Sequence, residues 1–132
     1  MIAPLVILLA EDCEFIAEPL ELRFKLLGHS VVSVRDGLSA LAAAAQCKPD
    51  LAIVDLRLPQ LDGLSVVRRL KADRDFSIAP IITMSAGNWN LDQPAALAAG
   101  AEHHLQKPFR FADLMALVER LRASERCCGA AR

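Results

Sequence analysis

Short aliphatic runs that hand over, one after another, to segments with helical spacing constrain this chain more than any other feature. The runs are Leu5–Leu9, Val31–Val34, Leu51–Val54 and Pro80–Met84, with a weaker fifth at Glu102–Leu105. Between the first two, Ile16, Leu20, Phe24 and Leu27 recur at helical spacing, and Gly28 follows as a C-terminal stop. Pro19 lies inside this segment, so its helix either starts late or loses one bond near its first turns. Leu38–Cys47 is Ala-rich and helical. Leu64, Val67 and Leu70 mark a third helix, Gln93–Ala99 a fourth, and Phe111, Leu114, Met115, Val118 and Leu121 a fifth. Strand–helix alternation of this kind predicts a parallel sheet with right-handed crossovers and helices on both faces. Nearly solid apolar strands agree, because central parallel strands are covered on both sides.

Size and charge narrow the field further. A chain of 132 residues has the usual size of one domain and buries about two-thirds of its unfolded surface. Hydrophobic residues at 54% against 23% charged argue against disorder. A net charge of −1 with no basic stripe offers no field for nucleic acid or anionic lipid, so neither is expected as a direct partner. The longest apolar stretch, Ile2–Ala10, has nine residues including Pro4, too few to span a bilayer, and lacks the flanks of a signal peptide. Cys13, Cys47, Cys127 and Cys128 have no metal-ligand spacing, and a cytoplasmic protein with free thiols is expected. Residues 1–122 form the expected domain, and 123–132, without apolar periodicity, a short flexible C-terminal tail.

In open parallel sheets the working site lies beyond the carboxyl ends of the strands. Here those ends carry Glu11 and Asp12, Asp55, Ser85 and Lys107. Singly, each has an ordinary role as a cap, a turn residue or a solvated charge. Together they place matching chemistry on one edge. Carboxylates about 4 Å apart repel by about 4 kcal/mol per pair at an effective dielectric of 20. Raised pKa values or a bound cation relieve that repulsion, and an oxygen-only ligand set suits Mg²⁺. Lys107 and the Ser85 hydroxyl suit phosphoryl oxygens, and aspartate is a competent covalent acceptor of phosphoryl groups.

On these residues the chain resembles a response-regulator receiver domain of two-component signalling, in its single-domain, chemotaxis-regulator-like form, over about residues 4 to 122. The matching pieces are Leu8-Leu9-Ala10-Glu11-Asp12, Ile53 to Pro59 with Asp62-Gly63-Leu64, Ile82-Thr83-Met84-Ser85-Ala86, and Lys107-Pro108-Phe109. Gaps of 43, 30 and 22 residues separate Asp12, Asp55, Ser85 and Lys107. The resemblance implies a flavodoxin-like, doubly wound α/β fold, a five-stranded parallel sheet with five helices. It implies that Asp55 is the phosphoacceptor, taking its group from a phosphohistidine of a sensor histidine kinase or histidine phosphotransfer protein. It also implies Mg²⁺ held by Asp12, Asp55 and the Arg57 backbone carbonyl, with Glu11 acting mostly through water. Ser85 and Lys107 would hold the phosphoryl oxygens. The face built from the fourth helix, fifth strand and fifth helix would carry the signal to a downstream protein. Such a module is a phosphoacceptor, not a turnover enzyme.

Departures and alternatives complete the reading. The family usually has Tyr or Phe three residues before the lysine, whereas this chain has no Tyr and carries His104 there. His104 is either an aromatic substitute or the means of a pH-sensitive switch. Its neighbour His103 would point to the opposite face, which argues against a shared metal site. Trp89, in the polar segment Gly87-Asn88-Trp89-Asn90, is a candidate partner contact. Cys13 is either redox-sensitive or an inert helix-start residue. Ten residues after 122 are too few for a DNA-binding module, so the chain as given is expected to signal by docking. The alternatives are a receiver cut from a hybrid kinase or larger regulator, or a phosphorylation-independent pseudo-receiver. An aspartyl-phosphate phosphatase is disfavoured because Arg57 stands where a second acid is needed.

Overall fold

A computed structural model describes residues 3–74 and 79–130, with side chains described in the last helix as far as residue 122. Cys127, Cys128 and the end of the expected tail therefore lie outside the described side chains. Elements alternate along the chain as β1 (Val6–Ala10), α1 (Glu14–Leu26), β2 (Ser30–Val34), α2 (Gly37–Cys47) and β3 (Leu51–Asp55). They continue as α3 (Gly63–Ala72), β4 (Ile81–Ser85), α4 (Trp89–Ala99), β5 (His103–Gln106) and α5 (Phe111–Ala130).

All neighbouring strands pair in parallel, in the order β2-β1-β3-β4-β5. The parallel sheet expected from the alternation and the flavodoxin-like fold implied by the resemblance are both observed. Successive side chains on a strand point to opposite faces, and the three inner strands split their aliphatic residues accordingly. Leu8, Ala10, Ala52, Val54 and Ile81 pack with Ala40, Ala44, Val66, Val67, Leu70 and Ala96 from α2, α3 and α4. Ile7, Leu9, Ile53, Ile82 and Met84 pack on the other face with Ala17, Leu20 and Phe24 of α1 and Leu114 and Val118 of α5. Alanines on α2 and α4 let those helices approach the sheet closely, which is why runs of small residues suffice there.

Helix ends differ from the expected ones where polar capping, not apolar spacing, decides them. Asn88 accepts from the Asn90 N–H at 2.9 Å and starts α4 at Trp89, four residues earlier than its apolar pattern indicates. Trp89 is thus in the first turn of a helix and not in a loop. Helix α1 starts at Glu14 and carries Pro19 in its interior, so the second of the two outcomes open for that segment is the one found. Helix α5 continues as helical backbone past residue 122 to Ala130, over a segment that has no apolar periodicity. At the C-terminus of α1, Gly28 takes a φ of +95°, a conformation natural to glycine.

Candidate functional site

Strand order reverses at β1, which pairs with β2 on one side and β3 on the other. The carboxyl ends of β1 and β3 therefore open the crevice in which doubly wound sheets place their ligands. Backbone hydrogen bonds continue past the strand ends and fix the residues there. The Glu11 N–H donates to the Val34 carbonyl at 3.1 Å, Leu56 to Met84 at 3.0 Å, and Lys107 to Ser85 at 2.8 Å. The Lys107–Pro108 peptide is cis.

Lys107 reaches from the end of β5 and donates to Asp55 Oδ2 at 2.6 Å and to Glu11 Oε1 at 2.5 Å. All three side chains are nearly inaccessible to solvent. Asp55 Oδ1 accepts the Arg57 N–H at 2.8 Å, and Glu11 Oε2 accepts the Cys13 N–H at 3.2 Å. Asp12 is exposed at the rim, with a carboxylate oxygen lying with those of Glu11 and Asp55 within 4.8 Å of one another. Three carboxylates thus face a single ammonium. Burial, with the Asp55 carboxylate beside it as an acceptor for the Glu11 proton, pushes the Glu11 carboxyl up to about 7. Burial pulls the Lys107 ammonium down, but its bonds to Asp55 and Glu11 outweigh that and hold it above its ordinary value. A cluster with surplus acid, oxygen donors only and an exposed rim carboxylate fits a hard divalent cation such as Mg²⁺.

A second, neutral-to-acidic network lies beside the first. The Ser85 hydroxyl is buried and donates to Asp92 Oδ2 at 2.7 Å. Both Asp92 oxygens accept from Arg57 Nη2, at 2.9 and 3.0 Å. His104 is buried with Nε2 3.1 Å from Ser85 Oγ and Nδ1 2.7 Å from Thr83 Oγ1. The single Ser85 proton is committed to Asp92, so Nε2 of His104 must carry the hydrogen that meets Ser85. In the neutral ring, Nδ1 is then the acceptor facing the Thr83 hydroxyl, whose proton is shared between this 2.7 Å contact and the His103 carbonyl at 3.3 Å. Burial lowers the His104 pKa from 6.5 against the pull of Asp92, favouring that neutral form. The Trp89 ring lies 5.5 Å from the His104 ring, centroid to centroid, and is 44% exposed.

The structure therefore gathers Glu11, Asp12, Asp55 and Lys107 into one cluster and puts Ser85, His104 and Trp89 into the adjoining network. The Arg57 side chain joins that network through Asp92, a residue the sequence gives no motif for. His103 is separated from His104 by the pleat, its carbonyl 3.3 Å from the Thr83 hydroxyl. Cys13 is the N-cap residue of α1 and makes no side-chain cap bond.

The family model for the response regulator receiver domain matches residues 7–119. The chain belongs to this family. Among curated proteins it is similar to the transcriptional regulatory protein CseB of Streptomyces coelicolor, 39% identical over 117 residues, 89% of this chain and 47% of CseB. It is also similar to the transcriptional regulatory protein PrrA of Mycobacterium tuberculosis, 38% identical over 120 residues, 90% of this chain and 50% of PrrA. The chain thus spans about half the length of the curated relatives it matches. Among solved structures, the receiver domain of sensor histidine kinase PA1611 from Pseudomonas aeruginosa is 34% identical with a TM-score of 0.82. That likeness covers 90% of this chain and 98% of the PA1611 domain, which has a magnesium ion coordinated in its active-site cleft. Receiver domains are signalling modules that work with histidine kinases. No described helix of this receiver is long and apolar enough to cross a membrane.

Proposed function

We propose that this receiver takes a phosphoryl group onto Asp55 from a phosphohistidine of a sensor histidine kinase or histidine phosphotransfer protein, in the cytoplasm. The observation that carries the reading is the buried Asp55 carboxylate, held against Lys107 at 2.6 Å and grouped with two further acids at the sheet's switch point. In the transfer, an Asp55 oxygen bonds to phosphorus as the P–N bond breaks. The electron pair leaves on the imidazole nitrogen, which then takes a proton. Asp12, Asp55 and the Arg57 carbonyl would hold Mg²⁺, with Glu11 acting through water, and the ion would supply charge neutralisation for the phosphoryl oxygens. Lys107, already against Asp55, offers a cation to one of those oxygens, and the Ser85 hydroxyl offers a donor to another. The protein contributes position and charge.

An apolar groove of about 750 Å³ opens beside Lys107, lined by Leu20, Pro108, Phe109 and Phe111. It supports docking of a protein phosphodonor next to the acceptor. The phosphorylated form is read by a downstream protein on the face of α4, β5 and α5, where Trp89 is a candidate contact. Incubation with acetyl phosphate and Mg²⁺, followed by intact mass measurement, tests the reading. One phosphoryl group is expected on the wild type and none on Asp55→Asn. An unmodified wild type, or a modified Asp55→Asn, overturns it.

A further inference from the structure

Ser85 has one proton, and in this structure it is already spent. Its hydroxyl donates to Asp92 Oδ2 at 2.7 Å, whereas a phosphoryl oxygen on Asp55 would need the same donor. We propose that Asp92 is a positioning residue that latches Ser85 in the unphosphorylated state, and that the Arg57 guanidinium keeps the latch in place. The inference rests on the phosphoacceptor reading of Asp55 and adds to it a competitor for Ser85.

Three observations carry it. Asp92 is buried in the first turn of α4, yet its carboxylate turns back under the β4–α4 connection to meet Ser85, seven residues earlier. Arg57, two residues after Asp55, closes over it with both Asp92 oxygens on one nitrogen. The latch thus ties the β3–α3 loop to the start of α4. The connection is also shaped around this pair. A Cβ on Gly87 would fall 2.4 Å from Asp92 Oδ2 and 2.7 Å from Arg57 Nη2. Both obstructing atoms are the ends of side chains, so an alanine there displaces the pair while the backbone stays in place.

A charge-assisted hydrogen bond of this kind opposes activation until it breaks. When Ser85 turns to the phosphoryl group, Asp92 loses a donor, and the His104 Nε2–H loses its acceptor on Ser85. These two groups, on α4 and β5, are then free to pair. Phosphorylation at Asp55 would in this way be felt at the face where Trp89 and His104 meet.

The test is the affinity for beryllium trifluoride in the presence of Mg²⁺, followed by ¹⁹F NMR on the full chain. Asp92→Ala is expected to bind the mimic about tenfold more tightly than wild type. Asp92→Asn, which keeps an acceptor without the charge, should fall between them. Gly87→Ala should shift affinity in the same direction while leaving Asp92 present, which keeps the proposal open to test if Asp92→Ala fails to fold. Ser85→Ala should bind more weakly, and adding Asp92→Ala to it should change nothing further. An unchanged or weakened Asp92→Ala, or an equal gain with and without Ser85, overturns the latch while leaving the phosphoacceptor reading intact. A wild type that does not bind the mimic overturns both.

Discussion

Glu11 sits with its carboxylate fully buried between a lysine and another acid, and its protonation follows from that position. Because its carboxyl is pushed from 4.5 to about 7, the folded chain keeps a proton across that window that the unfolded chain has released. Unfolding there releases a proton, so stability falls as pH rises through the window. In Mg²⁺-free buffer this contribution should be on the order of 1–3 kcal/mol between pH 5 and pH 8, read by urea unfolding. Glu11→Gln should remove that share of the decline. The ion needs the ionised acid, so Mg²⁺ affinity should rise over the same interval in the wild type and less so in the variant. His29 works in the opposite direction. Its buried Nδ1 accepts the Leu5 N–H at 3.0 Å and burial lowers its pKa, so its contribution is lost as pH falls below 6.5. Comparing wild type with Glu11→Gln at each pH separates the two.

The connection from β3 to α3 shows how an element boundary can serve a site. Asp62 caps α3, accepting from the Ser65 N–H at 3.0 Å, and this turns the chain sharply after the loop that follows Asp55. Gly63 comes so close to the end of β3 that a Cβ would lie 2.2 Å from the Asp55 carbonyl oxygen and 2.6 Å from Leu56 Cα. Those are backbone atoms with nowhere to go. Gly63→Ala should therefore cost at least about 1–3 kcal/mol in urea unfolding and slow phosphorylation of Asp55 by acetyl phosphate. A variant of unchanged stability and rate would show that the loop gives way. The order and type of these elements were legible in the sequence, because short continuous aliphatic runs and a 3.6-residue period differ plainly over five to ten residues. Their ends were less so. Trp89 begins α4 because the Asn88 side chain caps it, a local polar bond that hydrophobic spacing does not register.

Electrostatics across the domain argue for a stability that depends on its ion. Asp12, Asp55 and Glu11 converge from two strand ends against one lysine, so a divalent cation that binds only the folded chain should stabilise it. At one hundred times its dissociation constant, Mg²⁺ should add about 2.7 kcal/mol. That corresponds to a rise in melting temperature on the order of 10 °C for a domain of this size. Asp12→Asn should lose most of that rise. An equal rise in the variant would place the ion elsewhere. From its sequence alone the chain declared a doubly wound parallel sheet with acids, a hydroxyl and a lysine at the strand ends, because alternating aliphatic runs permit few other packings. Contacts between distant segments were decided by the tertiary structure alone. Lys107 meets Glu11 across 96 residues, Arg57 meets Asp92 across 35, and Gly87 leaves the space in which Asp92 reaches Ser85. Periodicity specifies which face of an element is buried; which polar side chains then share a proton depends on how the faces stack, and no local pattern encodes that.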